Sequence, residues 1–144
     1  MFSALILAGG SASRMNGINK QLTLLDGVPV VIRSALAFQR SAKVSEMILA
    51  VPAGQEERYR SLCQEYGVDK LRAVTAGGST RALSVKRALE QVSPEYGYIA
   101  IHDGARPLIL TEDIDRVLSD AAKFGGAIAA APVTDTIKQC SGGF

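Results

Sequence analysis

Short apolar runs alternate along this chain with longer amphipathic ones, and that alternation fixes the class of fold. Phe2–Leu7, Glu46–Val51, Leu71–Thr75, Tyr98–Ile101 and Ala127–Ala131 read as strands. Between them, helices are predicted from Pro29 to about Gln39, over Gly54–Tyr66 and Ser79–Val92, and from an N-cap at Thr111 to Phe124. Runs such as Ala4–Leu7 carry no polar alternation, as expected of strands covered on both faces. The helices carry apolar stripes at helical spacing: Val31, Ala35 and Phe38; then Ala82, Val85, Leu89 and Val92; then Ile114, Val117, Leu118, Ala121 and Ala122. Strand–helix alternation of this kind predicts an α/β fold, a mostly parallel twisted sheet with helices on both faces. Asp26-Gly27 marks a turn and Gly67 a helix stop.

The chain has 144 residues, of which 47% are hydrophobic and 21% charged, enough for one domain with a real core. A net charge of +2, with no run of basic residues, gives no case for nucleic acid. No stretch approaches the roughly 18 apolar residues of a membrane span. Cys63 and Cys140 form no metal-type spacing, and no basic region precedes Ala4–Ala8 as a signal peptide requires. These features predict a soluble, cytoplasmic protein with two reduced thiols.

Ligands of open α/β sheets bind at the carboxyl ends of the strands, so the segments after each strand matter most. The first is followed by Ala8-Gly9-Gly10-Ser11-Ala12-Ser13-Arg14-Met15 and then Lys20, the third by Ala76-Gly77-Gly78-Ser79-Thr80-Arg81. His102-Asp103-Gly104-Ala105-Arg106-Pro107 follows the fourth, and Pro132-Val133-Thr134-Asp135-Thr136 the fifth. Gly9 and Gly10 let backbone amides approach a phosphate, and Arg14 and Lys20 supply charge. The loop is neither a Walker A motif nor the dinucleotide fingerprint. By itself it reads as a glycine turn with two solvated cations before it reads as a phosphate cradle. Ser79 and Thr80 are N-cap candidates. Ser84 reads either as a ligand contact or as a solvent-facing helical serine. Asp103 suits a ribose or magnesium contact, or a loop cap; His102 suits a packed, hydrogen-bonded role; Arg106 suits a brace between loops or a phosphate contact. It is the convergence of these loops that points to a nucleotide.

Leu7–Met15 with Lys20-Gln21, Gly77–Val85, His102–Pro107 and Ala131–Lys138 together resemble the 2-C-methyl-D-erythritol 4-phosphate cytidylyltransferase family. The resemblance runs along the whole chain. It implies a Rossmann-like nucleotidyltransferase fold and transfer of CMP from CTP to a polyol phosphate, methylerythritol phosphate, with magnesium required. Ribitol phosphate is the alternative acceptor, and a non-catalytic CTP-binding fragment the alternative role. By the same resemblance, Arg14 and Lys20 match the transition-state stabilisers. Ala8, Gly9, Gly10, Gly78, Ser79, Ala82, Ser84, Asp103 and Thr136 match nucleotide-contacting positions, Asp103 also the metal site. Residues 1–132 correspond to the nucleotide-binding domain. Residues 133–144 correspond to the start of an arm, beginning near Val133, that pairs two subunits into a homodimer. Members of the family continue beyond the length seen here, through the part that grips the acceptor phosphate. Four positions depart from the family pattern: Ala12 replaces a glycine, Ser13 a basic residue, Asn19 the proline before the catalytic lysine, and Ser79 an acid.

Overall fold

The computed structural model describes residues 1–9 and 19–138. Its elements are β1 (Phe2–Leu7), β2 (Leu24–Leu25), β3 (Val28–Pro29), α1 (Val30–Arg40), β4 (Val44–Val51), α2 (Glu56–Glu65), β5 (Leu71–Ala76), α3 (Arg81–Leu89), β6 (Tyr98–Asp103) and α4 (Thr111–Phe124). Four strands form one sheet in the order β5-β4-β1-β6, every pair parallel. β1 is buried at all six positions because it lies between β4 and β6 with helices on both faces.

The pleat sends alternate residues to opposite faces. Phe2, Ala4 and Ile6 of β1, with Met47, Leu49 and Val51 of β4, face a core shared with α1, α2 and α4. Leu5, Leu7, Ile48 and Ala50 face α3, through Val85 and Ala88. Each large aliphatic side chain removed from water contributes about 1.5–3 kcal/mol, so the larger core, on the α1/α2/α4 face, dominates stability. The helix distribution follows from chain direction. From β1 to β4 to β5 the chain steps one way across the sheet; from β5 to β6 it returns past β1. Right-handed crossovers then place α3 on the opposite face from α1 and α2. The reversal puts a topological switch point between β1 and β6, where open α/β sheets form their ligand crevice.

The Asp26-Gly27 turn has positive φ at both residues, +50° and +75°, the two-residue geometry that suits the right-handed twist of the β2–β3 hairpin. α4 ends at Gly125 in the left-handed conformation.

Three expectations are corrected. Ala127–Ala131 forms no strand, and β6 stays at the sheet edge. Alanine buries little area, and Ile128, the one large side chain of the segment, is 86% exposed beside an apolar groove between β6 and α4. The stripe on α3 is rotated: Ser84 and Ala88 are buried, while Ala82 and Leu89 are exposed. Thr111 is the first helical residue of α4 rather than its N-cap, which is Leu110. The Thr111 hydroxyl instead donates to the Ala37 carbonyl (3.1 Å), one of the last-turn acceptors that α1 leaves without an internal partner.

Glu46 is the buried carboxylate of the sheet. It accepts hydrogen bonds from Ser3 Oγ (2.7 Å), Ser93 N (2.9 Å) and Ser93 Oγ (2.7 Å), and lies 3.5 Å from the Arg72 guanidinium. Burial pushes its pKa up, but these donors and the arginine outweigh it and hold it below the usual carboxylate range. A depressed folded pKa means stability present at neutral pH and lost as pH falls through the folded value. Glu46→Ala should cost about 3 kcal/mol at neutral pH by stranding buried donors. In urea unfolding, the stability gap between wild type and Glu46→Gln should be wider at pH 7 than at pH 3.

Candidate nucleotide site at the strand ends

Ladder hydrogen bonds continue past the strand ends and draw the loops together. Ala8 N donates to Ala50 O (2.7 Å), Gly77 N to Val51 O (2.7 Å) and Gly104 N to Leu7 O (2.8 Å). Gly9 and Gly77 thereby meet over the end of β4. A Cβ on Gly9 would lie 3.3 Å from Gly77 Cα and 3.6 Å from the Val51 carbonyl, so any side chain there would wedge the two loops apart. Ala8 is fully buried with its amide already used, so it sets position and offers no donor to a ligand.

The turn before α3 is built by its own hydroxyls. Thr80 caps the helix, its Oγ1 accepting from Leu83 N (3.2 Å). Ser84 Oγ accepts from Gly78 N (3.0 Å) and donates to Thr80 O (3.1 Å). Ser84 is therefore a buried tie within the loop, not a solvent-facing serine. Arg87 Nη1 donates to Gly77 O (2.7 Å) from the next turn of the helix. A side chain on Gly78 would collide with Leu83. The first-turn amides of Arg81 and Ala82 have no intrahelical acceptor and lie at the positive end of the helix dipole. Ala82 and Ser79 are exposed at this end.

At the end of β6, Asp103 is clamped between two guanidinium groups. Arg81 Nη2 and Nε approach Oδ1 (3.2 and 3.3 Å), and Arg106 Nε approaches Oδ2 (3.2 Å). His102 points to the other face: its ring packs 5.1 Å from Phe38 and its Nε2 lies 3.1 Å from the Arg106 carbonyl. Burial lowers its pKa, more than the Arg106 carbonyl and Asp103 raise it, so it is a neutral, packed residue. The segment carrying Lys20 leans on this strand end. Gln21 is buried, with its Oε1 lacking a hydrogen-bond partner, and a Cβ on Gly104 would lie 3.0 Å from that oxygen. Ser34 Oγ holds the Gly104 carbonyl from α1 (2.9 Å).

The structure thus brings together Ala8, Gly9, Gly78, Ser84 and Asp103, with Ser79 and Ala82 at the adjoining helix start and exposed Lys20 joined to them through Gln21. Gly10 and Arg14 lie outside the described residues. Thr136 is on the exposed stretch after α4, with no hydrogen bond to the strand ends among the described residues. Arg81 and Arg87 were not singled out by motif. Arg81 carried one legible signal, a cation directly after Gly-Gly-Ser-Thr at a strand end; Arg87, inside a helix, carried none.

A metal fits this arrangement poorly. Magnesium takes one or two carboxylates with water and phosphate oxygens. Each oxygen of Asp103 already meets a guanidinium, and no group of three or more potential metal-ligating side chains exists among the described residues. Two arginines against one carboxylate leave a cationic surface, suited to an anion.

A sequence profile of the 2-C-methyl-D-erythritol 4-phosphate cytidylyltransferase family matches residues 2–143. The chain belongs to that family. It is 39% identical over 138 residues to the 2-C-methyl-D-erythritol 4-phosphate cytidylyltransferase of Dehalococcoides mccartyi, covering 96% of this chain and 60% of that protein. With the enzyme of the same name from Alkaliphilus metalliredigens the identity is 37% over 139 residues, 95% of this chain and 58% of the relative. The crystal structure of 4-diphosphocytidyl-2C-methyl-D-erythritol synthase from Anaerococcus prevotii superposes with a TM-score of 0.71 at 27% identity, covering 85% of this chain and 51% of the other. The chain spans about 60% of the length of these sequence relatives. The cytidylyltransferase family membership and the parallel nucleotidyltransferase sheet agree with the resemblance carried by the four loops.

The packing at Gly78 is testable by itself. Gly78→Ala should destabilise the protein by about 1–3 kcal/mol through overpacking against Leu83. Urea unfolding would show it, and Ser79→Ala, on the exposed side of the same loop, should stay within about 0.5 kcal/mol of wild type.

Proposed function

We propose that the chain is the nucleotide-binding part of an enzyme that transfers CMP from CTP to 2-C-methyl-D-erythritol 4-phosphate with release of pyrophosphate, in isoprenoid precursor synthesis. The observation that carries this reading is the convergence of the loops after β1, β5 and β6 at the carboxyl end of the sheet, where Gly9 meets Gly77 and Arg81 and Arg106 gather on Asp103. Family membership selects the reaction.

The attacking phosphate of the acceptor is already an anion at neutral pH, so the chemistry needs no general base. The barrier is electrostatic, an anion approaching a polyanion, and it falls through positioning and fixed positive charge. Lys20 and Arg14 are the proposed stabilisers of the developing charge. Gly9 and Gly10 let the backbone come close to the triphosphate. Gly78, Ser79, Ala82 and Ser84 form the proposed wall for cytosine and ribose, with Ser84 acting by shaping the loop. Magnesium enters this reading as the counter-ion of the triphosphate, since the described residues offer it no cage.

The finer assignments belong to the same proposal. Residues 1–132 form the nucleotide domain. Residues 133–144 begin an arm pairing two subunits in a cytoplasmic homodimer, supported by the exposure of Val133 (66%) and Ile137 (76%). No helix among the described residues is long and apolar enough to cross a membrane.

The full-length protein should release pyrophosphate from CTP with methylerythritol phosphate and magnesium. Turnover with ribitol 5-phosphate alone would reassign it to the polyol-phosphate relatives; CTP binding in calorimetry without turnover would make it a binding module. Arg14→Ala and Lys20→Ala should each lower kcat by about 100-fold or more.

A further inference from the structure

Asn19, beside Lys20, makes more side-chain contacts than a surface turn requires. Its Nδ2 donates to the hydroxyl of Tyr59 (3.3 Å), forty residues away on α2, and its Oδ1 accepts from Gln21 N (3.1 Å). Its backbone carbonyl accepts from Leu22 N (3.0 Å) and from Thr23 Oγ1 (3.4 Å). Tyr59 is fully buried in the larger core. A buried phenol needs a polar partner, and Asn19 supplies it. The carboxamide is planar, so fixing Nδ2 on the phenol also fixes the direction of Oδ1, which holds the Gln21 amide. The turn that carries Lys20 is thus pinned at one point to the core, while Gln21 packs against Gly104 at the end of β6.

We infer that Tyr59 is a positioning residue for Lys20, acting through Asn19: a hydroxyl held rigidly on α2 fixes the carboxamide, and the carboxamide fixes the turn that presents the lysine. The inference rests on the role proposed above for Lys20. It also gives a physical account of the asparagine at this position. A proline would restrict the turn by locking its own φ; Asn19 restricts it by two side-chain hydrogen bonds, one of them to the core. The latch and a proline are alternative ways of stiffening the same backbone, so each should make the other dispensable.

The test uses the full-length protein and the variants Tyr59→Phe, Asn19→Ala, Asn19→Pro and Tyr59→Phe/Asn19→Pro. Turnover with CTP is measured beside amide hydrogen exchange at Gln21 and Leu22 and thermal unfolding. Tyr59→Phe keeps the ring in the core, and Asn19→Ala removes the latch without touching the core, so a folding defect in one leaves the other decisive. Both should lower kcat by about tenfold, as expected for a slightly misplaced catalytic group, with KM for CTP within about twofold. Both should speed exchange at Gln21 and Leu22. Asn19→Pro should keep kcat within about threefold of wild type, and adding Tyr59→Phe to it should cost less than about twofold. Unchanged kcat and exchange in both Tyr59→Phe and Asn19→Ala would overturn the latch. An equal loss from Tyr59→Phe in both backgrounds would also overturn it, by showing that the hydroxyl acts through core packing. Absence of turnover in the wild type would instead refute the cytidylyltransferase reading, and the exchange data would then decide the latch alone.

Discussion

The rest of the molecule depends on β1 being hydrogen-bonded on both sides and covered on both faces. Its backbone groups pair with β4 and β6, and its side chains alternate between two cores that share no helix. A strand so enclosed cannot slip by one residue without turning Ile6 and Leu7 into each other's environments. Its last residues are therefore fixed in space. Because Gly77 hangs on Val51, and Gly104 on Leu7, the loops after β5 and β6 inherit that precision. Ala8, Gly77 and Gly104 are held in place by this continuation of the sheet ladder past its formal ends.

The loops themselves are shaped largely by internal satisfaction of polar groups. Ser84 accepts from the Gly78 amide and Arg87 donates to the Gly77 carbonyl, while Thr80 caps Leu83 N, which leaves the Arg81 and Ala82 amides at the start of α3 without an intrahelical acceptor. Asp103 in turn pairs with two arginines. Holding Arg81 and Arg106 on one carboxylate costs side-chain entropy, and exposed pairs of this kind contribute little to stability. What the pairing sets is direction: it ties the start of α3 to the end of β6 and keeps two guanidinium groups together at the strand ends.

Much of this was legible in the residues. Apolar runs located all four strands of the sheet, most clearly β1 and β4, which are buried on both faces; β5 and β6 lie at the edges and are half-exposed. The same rule misread Ala127–Ala131, where small side chains mimic a core strand without enough area to hold one against the edge at β6. The α3 stripe was misjudged for a different reason. Its buried face includes Ser84, whose burial comes from hydrogen bonds to the turn rather than from apolarity, and hydrophobic periodicity does not register that. Asp103 stood out by its place at a strand end, but its partners come from positions 81 and 106, and no spacing rule joins them. The tie between Asn19 and Tyr59 is similarly invisible, since it joins residues forty positions apart that only the packing of α2 brings together.

Asp103 shows how the surroundings of a residue decide between two roles that its chemistry leaves open. A lone carboxylate at the end of a buried strand is competent to bind a cation, and in a nucleotide site a metal is the natural cation to expect. Here each oxygen faces a guanidinium, so a metal ion binding directly would meet two positive charges already beside the carboxylate. The local balance runs the other way, with positive charge in excess over the one acid that organises it. Such a surface favours the phosphates of a nucleotide over the free ion. A divalent cation is then best accommodated where the ligand carries its own negative charge, with the protein contributing arginine, lysine and helix-end amides around the outside of the pair.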